Sequence, residues 1–404
     1  MRHPRAIFGL ALLGAIVWSS SGRADDDTIK IGVLTDQSSA YSMGGLGPGI
    51  PAAVRMAVED FGGKVLGKTI TVLSADHQNK TDIGAEIARR WIDEDHIDGF
   101  VEVQNTSVVR AVLDLAAKAN RTVISSTAGS SDLTNQYCSP VFVHWLWDTY
   151  ALPKAAATTL VKEGDKKWFI IDQDYSFAIA MERDTKQFVE DAGGTYLGAY
   201  RAPLNNRDFS TALLKAQSSG AQVIATSDSG ADAVNLMKQA TEFGIPQRMK
   251  MVGLSTTIVD VDAIGLPAAK GMIIADPFYW DMTDQTRAWS KRYYEQTHSI
   301  PNLFVAGAYT ETLHFLKAVK AAGTTAGTNV VAAMKELPID DFFTKSGKIR
   351  EDGRAIRPIY LFQVKSPAES KYKWDYYKLL KEIPGDQSFR PLSDSQCPLV
   401  AHKT

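Results

Sequence analysis

The chain holds only two cysteines, Cys138 and Cys397, too few for a structural zinc site. Its histidines show no H-x-x-x-H spacing, so His77, His96, His144, His298 and His314 read as surface or core residues, and no metal is expected. There is no G-x-S-x-G elbow to hold a nucleophilic serine, and no other catalytic constellation, which argues against an enzyme. The stretch GGLGPG, Gly44–Gly49, stands where a dinucleotide would bind but fails G-x-G-x-x-G. Counted from Gly45 the last required glycine is Ile50, counted from Gly47 it is Ala52, and Pro48 lacks the N–H a pyrophosphate would use. No P-loop lysine follows, and no cofactor is expected.

What is present begins with Arg2, His3 and Arg5, an apolar run from Ala6 to Trp18, and small polar residues up to Ala24. That run is shorter than the roughly 20 residues of a membrane span. It predicts a signal peptide over residues 1–24, and hence a soluble exported, periplasmic protein. Removing it leaves 41 basic against 46 acidic side chains, a net charge of −5, which makes nucleic acid an unsuitable partner. Export suits a disulfide between Cys138 and Cys397, although two buried free thiols fit the count equally.

The remaining chain is longer than one core usually supports and alternates apolar strands with helical patterns. Strands are predicted at Ile29–Leu34, Ile70–Ala75, Gly99–Val103 and Arg121–Ser125, with helices between them. A second series has strands at Lys167–Asp172, Thr195–Tyr200, Ala221–Thr226 and Met249–Leu254. Ile359–Val364 and Trp374–Leu380 read as antiparallel strands near the end. The expected fold is α/β, two doubly wound lobes joined by a hinge of several crossings. Residues 25–148 and 280–336 form lobe 1, residues 149–279 and 337–380 lobe 2, and residues 381–404 a C-terminal tail.

Ligands of open α/β sheets collect beyond the carboxyl ends of the strands. The stretch VISSTAGSSDLT, Val123–Thr134, ends a β-branched run in small residues whose N–H groups and hydroxyls suit a carboxylate, although it also reads as a Ser-rich turn. Aromatic residues gather at the same kind of junction: Tyr41, Tyr175, Phe177, Phe278-Tyr279-Trp280, Phe304 and Tyr309. As a set they favour an apolar or aromatic ligand.

With IKIGVLTDQSSAYSMGG, ISSTAGSSDLT, DQDYSFAIAMERD, DFSTALLKAQSSGAQVI and ADAVNLMKQATEFGI, the chain resembles the type I periplasmic solute-binding proteins of branched-chain amino-acid ABC importers. ADPFYWD and WDYYKLLKEIPGDQSFRPL resemble a subgroup associated with aromatic carboxylates. The resemblance implies a monomeric receptor that closes on a small carboxylate and presents it to a membrane permease. It implies a carboxylate site at Thr106 and Ser107 and at Thr127, Ala128, Gly129 and Ser130, with an aromatic wall of Tyr41, Tyr175, Phe177 and Phe304. Gly129 stands where the amino-acid receptors place a threonine, and Ser255 where they hold the ammonium with a carboxylate. An ammonium buried without an anionic partner is costly, so an α-amino acid fits poorly unless Asp228 or Asp276 substitutes. An amino-acid or amide binding receptor or sensor on the same fold is the alternative; a sensory receptor would need a membrane span or signalling domain.

Overall fold

The computed structural model describes residues 27–39, 41–42 and 47–401; the expected signal segment and Gly44, Gly45 and Leu46 of the glycine-rich loop lie outside them. The first sheet comprises β1 (Thr28–Thr35), β2 (Lys64–Val65), β3 (Lys68–Asp76), β4 (Gly99–Val103), β5 (Thr122–Ser125) and β6 (Phe142–His144), in the order β2-β3-β1-β4-β5-β6. All neighbours are parallel except β2 and β3. The helices α1 (Gly49–Phe61), α2 (Thr81–Asp93) and α3 (Thr106–Ala119) connect its strands. After α4 (Ala151–Lys162) comes the second sheet: β7 (Lys167–Gln173), β8 (Thr195–Ala202), β9 (Val223–Thr226), β10 (Lys250–Gly253) and β11 (Ile273–Asp276). Its intervening helices are α5 (Ser176–Asp191), α6 (Ser210–Ser218), α7 (Gly230–Glu242), α8 (Ile258–Ile264) and α9 (Leu266–Ala269).

The chain then returns to the first sheet as α10 (Asp284–Thr297), α11 (Leu303–Ala322) and α12 (Gly327–Glu336). The small ladder of β12 (Lys348–Ile349) and β13 (Ala355–Ile356) follows, and residues 337–356 pack against α12 and β6 before the second sheet is rejoined. There β14 (Ile359–Val364) and β15 (Tyr377–Ile383) add two antiparallel strands, giving the order β15-β14-β11-β10-β9-β7-β8. The tail, with α13 (Gly385–Ser388), crosses back to the first lobe, where Cys397 is disulfide-bonded to Cys138.

Both sheets are doubly wound because their central strands are apolar on both faces: β4, β5, β9 and β10 carry scarcely an exposed side chain. On the first sheet, Trp91, Phe100, Val112 and Leu113 fill one side, while Ile31, Val54, Phe315 and Leu316 fill the other. Among the described residues no helix is long and apolar enough to cross a membrane, and no group of three or more His, Cys, Asp or Glu is placed to hold a metal ion.

Two of the strands lie outside the expected set, and the last one begins later than expected. Strands β6 and β11 are too short to leave a period in the sequence. Helix α4 begins before Pro153, which sits in the first turn where no N–H is needed. The last strand begins at Tyr377 rather than Trp374, because Trp374 has φ +64° and its carbonyl accepts hydrogen bonds from Tyr279 Oη and Trp280 Nε1.

Candidate functional site

The carboxyl ends of both sheets face one cavity. The loop after β1 supplies Tyr41, the loop after β4 Gln104, Asn105 and Thr106, and the loop after β5 Thr127, Ala128 and Gly129. From the crossing after β6 comes Trp147, from the second sheet come Tyr175, Phe177, Ser229 and Ser255, and Phe304 heads α11. None of the described residues that line it carries a formal charge.

One side of the cavity is a continuous arc of rings. Tyr41 and Tyr175 lie 6.3 Å apart, Tyr175 and Phe177 5.7 Å, Phe177 and Trp147 5.6 Å edge to face, and Trp147 and Phe304 6.2 Å. Gly129 is what lets the arc close on the first lobe: a Cβ there would stand 2.5 Å from Trp147 and 2.6 Å from Phe177. Any side chain at that position would collide with two rings.

The opposite character comes from helix ends. Thr106 opens α3, Tyr175 and Phe177 belong to the start of α5, and Ser229 precedes α7, so three helix N-termini converge on the cavity. Neither Tyr175 nor Ser229 caps its helix with a side-chain hydrogen bond, whereas Asn105 Oδ1 accepts from Ser107 N–H at 2.8 Å. Such convergence favours an anion without a formal positive charge.

The loop Ser125–Gly129 is held from below. Ser126 N–H donates to Glu102 Oε2 at 3.1 Å, Thr127 Oγ1 to Glu102 Oε1 at 2.8 Å, and Ser126 Oγ to Glu311 Oε2 at 2.6 Å. Ala128 N–H turns back to Ser125 Oγ at 3.0 Å, and the His144 ring donates Nε2–H to the Ala128 carbonyl. The N–H groups of Thr127 and Gly129 meet no acceptor among the described residues, which leaves them free for a ligand. α11 approaches this loop closely because Gly307 has no side chain; a Cβ there would stand 2.5 Å from Ser126 Oγ.

Nine of the sequence candidates line the cavity: Tyr41, Thr106, Thr127, Ala128, Gly129, Tyr175, Phe177, Ser255 and Phe304. Four do not. Ser107 stands at the mouth, where its hydroxyl meets that of Ser176, and Ser130 is turned inward, its Oγ accepting from Asp132 N–H at 3.3 Å. Phe278 packs into a ring cluster with Trp289, Phe342 and Phe343, because the backbone turns at Asp276, whose carboxylate accepts Phe278 N–H. Asp228 is buried behind Ser229 with neither oxygen partnered; burial, then Asp172 and Asp232 nearby, push its carboxyl well above the usual range. Asp276 is likewise absent from the lining, and burial raises it too. Neither is among the described residues that line the cavity. Sequence reasoning did not single out Gln104, Trp147 or Ser229. Glu102 and Glu311 also escaped it, though a lone acid inside the buried strand GFVEV is a visible anomaly.

A family model described as periplasmic binding protein matches residues 28–371. A periplasmic binding protein from Burkholderia mallei is 43% identical, with a TM-score of 0.89 and a match covering 92% of this chain and 99% of that one. A branched-chain amino-acid ABC transporter periplasmic ligand-binding protein from Burkholderia xenovorans LB400 is 36% identical, with a TM-score of 0.84 and coverage of 92% and 100%. A solute-binding protein of an ABC transporter from Rhodopseudomonas palustris BisB5, in complex with 3,4-dihydroxybenzoic acid, shares the fold at 21% identity, with a TM-score of 0.80 and coverage of 89% and 98%. Among curated proteins, Leu/Ile/Val-binding protein homolog 6 of Brucella melitensis is 25% identical over 239 residues, 58% of this chain; the chain spans 60% of that relative's length.

Proposed function

The chain belongs to the periplasmic binding protein family, a family of solute-binding proteins rather than enzymes, and on that footing we propose that it is the monomeric, periplasmic receptor of an ABC importer, specialised for an aromatic carboxylate. Its export signal, residues 1–24, would be removed on the way. The carrying observation is the lining itself: an arc of five rings faces three helix N-termini, and none of the described lining residues is a carboxylate or a cation. A carboxylate is accommodated by the free N–H groups of Thr127 and Gly129 and by the first turn of α3. An aromatic body fits between the rings. An α-ammonium would find no anionic partner, at a cost of several kcal/mol.

Capture proceeds by closure. The acid first meets the lobe-1 loops, residues within 25–148 and 280–336, and the lobe-2 residues Tyr175, Phe177, Ser229 and Ser255 then cover it. The closed form is the surface a membrane permease would recognise. The dihydroxybenzoate bound by the R. palustris protein supports the aromatic class, and the names of the B. xenovorans and Brucella relatives favour branched-chain amino acids instead.

The deciding experiment is calorimetry with a panel: benzoate, 4-hydroxybenzoate, 3,4-dihydroxybenzoate, cinnamate, leucine, valine and an aliphatic amide. Micromolar or tighter binding of at least one aromatic acid, with none for leucine, is expected. Tight leucine binding without a response to the acids would overturn the proposal.

A further inference from the structure

Glu102 is a positioning residue for the ligand loop, and its surroundings give it a second role. Its side chain is fully buried on β4 and accepts from Ser125 Oγ at 3.1 Å, Ser126 N–H and Thr127 Oγ1. The carboxyl of Glu311, fully buried on α11, shares Ser126 with it, Glu102 taking the N–H and Glu311 the hydroxyl, and Glu311 Oε1 has no hydrogen-bond partner among the described residues. Two carboxyl groups so close and so dry do not both ionise, so the free protein carries one proton between them.

The charged groups around the pair are few. Arg357, buried over the Trp145 and Phe343 rings, faces Glu311 from the far side. Arg354 is held by the Trp147 carbonyl and Asp148, and His144 on β6 is kept neutral by burial and by Arg354. On the cavity side of Glu102 stands Thr127, with no charged group among the lining residues beyond it.

A threonine hydroxyl has one proton. While Glu102 is ionised that proton points inward to it, so Thr127 turns only lone pairs toward the cavity, where a carboxylate requires a donor. Resting on the carboxylate reading above, we propose that ligand capture is coupled to uptake of one proton by the Glu102–Glu311 pair, which reverses the Thr127 hydroxyl from an inward donor into a donor to the ligand. The proton comes from water, no covalent bond to carbon changes, and the pair passes from one shared proton to two. Glu102 O–H then donates to Thr127 Oγ1, and the Thr127 proton is free to meet the ligand oxygen. The driving force is like-charge repulsion: an anion on the other side of one threonine raises the proton affinity of the carboxylate beneath it. Burial already pushes the Glu102 carboxyl up to about 7, so the exchange falls near neutral pH.

The test is calorimetry of the mature chain at pH 7 with the tightest-binding acid of the panel, in phosphate and in Tris. Buffers that differ in ionisation enthalpy report the number of protons taken up. A substantial fraction of one proton is expected, with affinity falling up to about tenfold per pH unit above pH 7 and levelling off below about pH 6. Glu102→Gln, whose amide donates to Thr127 at every pH, should abolish both the uptake and the pH dependence. Thr127→Val, a nearly isosteric change at the cavity surface, should weaken binding and reduce the uptake even if the first variant does not fold. Binding without proton uptake in the wild type, or uptake that persists in Glu102→Gln, overturns the coupling and leaves the carboxylate reading intact. No binding by any acid of the panel overturns both.

Discussion

The hydroxyls of Ser107 and Ser176 meet at 3.1 Å across the mouth of the cleft, one in the first turn of α3 on the first lobe and the other heading α5 on the second. If closure captures the ligand, this contact forms and breaks with each cycle. In a Ser107→Cys/Ser176→Cys double variant, mild oxidation should crosslink the lobes, and release of bound acid should slow by more than about tenfold. Stopped-flow displacement measures it. Release at the wild-type rate from a fully crosslinked protein would show that the cleft does not open along this line.

Gly129 yields the second prediction. In Gly129→Ala the new methyl would stand 2.5 Å from Trp147 and 2.6 Å from Phe177. Overpacking of this kind costs about 1–3 kcal/mol; the clash with Phe177 crosses the cleft and weighs on the closed form, whereas that with Trp147 lies within the first lobe. Ligand affinity should therefore drop by up to roughly 5- to 150-fold, with a lowered melting temperature reporting the share of the cost that falls within the first lobe. Unaltered affinity by calorimetry would mean that the ring arc is not part of the binding form.

His314 makes stability depend on acid. Its Nε2–H donates to the Met334 carbonyl at 2.9 Å, and burial, the dominant cause, lowers its pKa from 6.5 to about 4. A depressed folded-state pKa means that the neutral ring's contribution is intact above pH 6.5 and is lost as pH falls toward 4. The loss amounts to about 3 kcal/mol at most. Urea unfolding of His314→Gln, compared with wild type at pH 7 and at pH 4.5, should show a smaller acid penalty in the variant. Equal penalties would place the acid sensitivity elsewhere.

The Cys138–Cys397 bond closes a loop spanning 259 positions of sequence. Replacing both cysteines by serine should lower stability by about 2–5 kcal/mol, measured by denaturant unfolding under oxidising conditions. An unchanged midpoint would mean that the unfolded chain is not constrained by the bond.

The two sheets were legible because doubly covered strands appear as unbroken apolar runs, as in Ile29–Leu34 and Ala221–Thr226, with helical spacing between them. Strands of three or four residues, such as β6 and β11, leave no such trace. The site was partly legible for the same topological reason, since strand ends mark the cavity whatever their side chains. Phe278 misled because an aromatic at a strand end carries no record of which way the next turn sends it; the Asp276 turn sends it into the Trp289 cluster. Trp147 was missed because it lies in a crossing segment without periodicity. The Thr127 loop was found, with N–H groups and hydroxyls both offered to a carboxylate, but nothing in the sequence shows that the Thr127 hydroxyl meets Glu102 beneath it.

The disulfide has one more consequence, which concerns cutting rather than folding. Because Cys138 lies before the first crossing into the second sheet and Cys397 after the last return from it, all four crossings and all of the second sheet lie inside one covalent ring. A protease that severs any single peptide bond between those two residues leaves both pieces attached to each other. Such a cut opens the ring without releasing a fragment, so a nicked receptor keeps both halves of its binding site in one molecule until a reductant reaches the sulfurs.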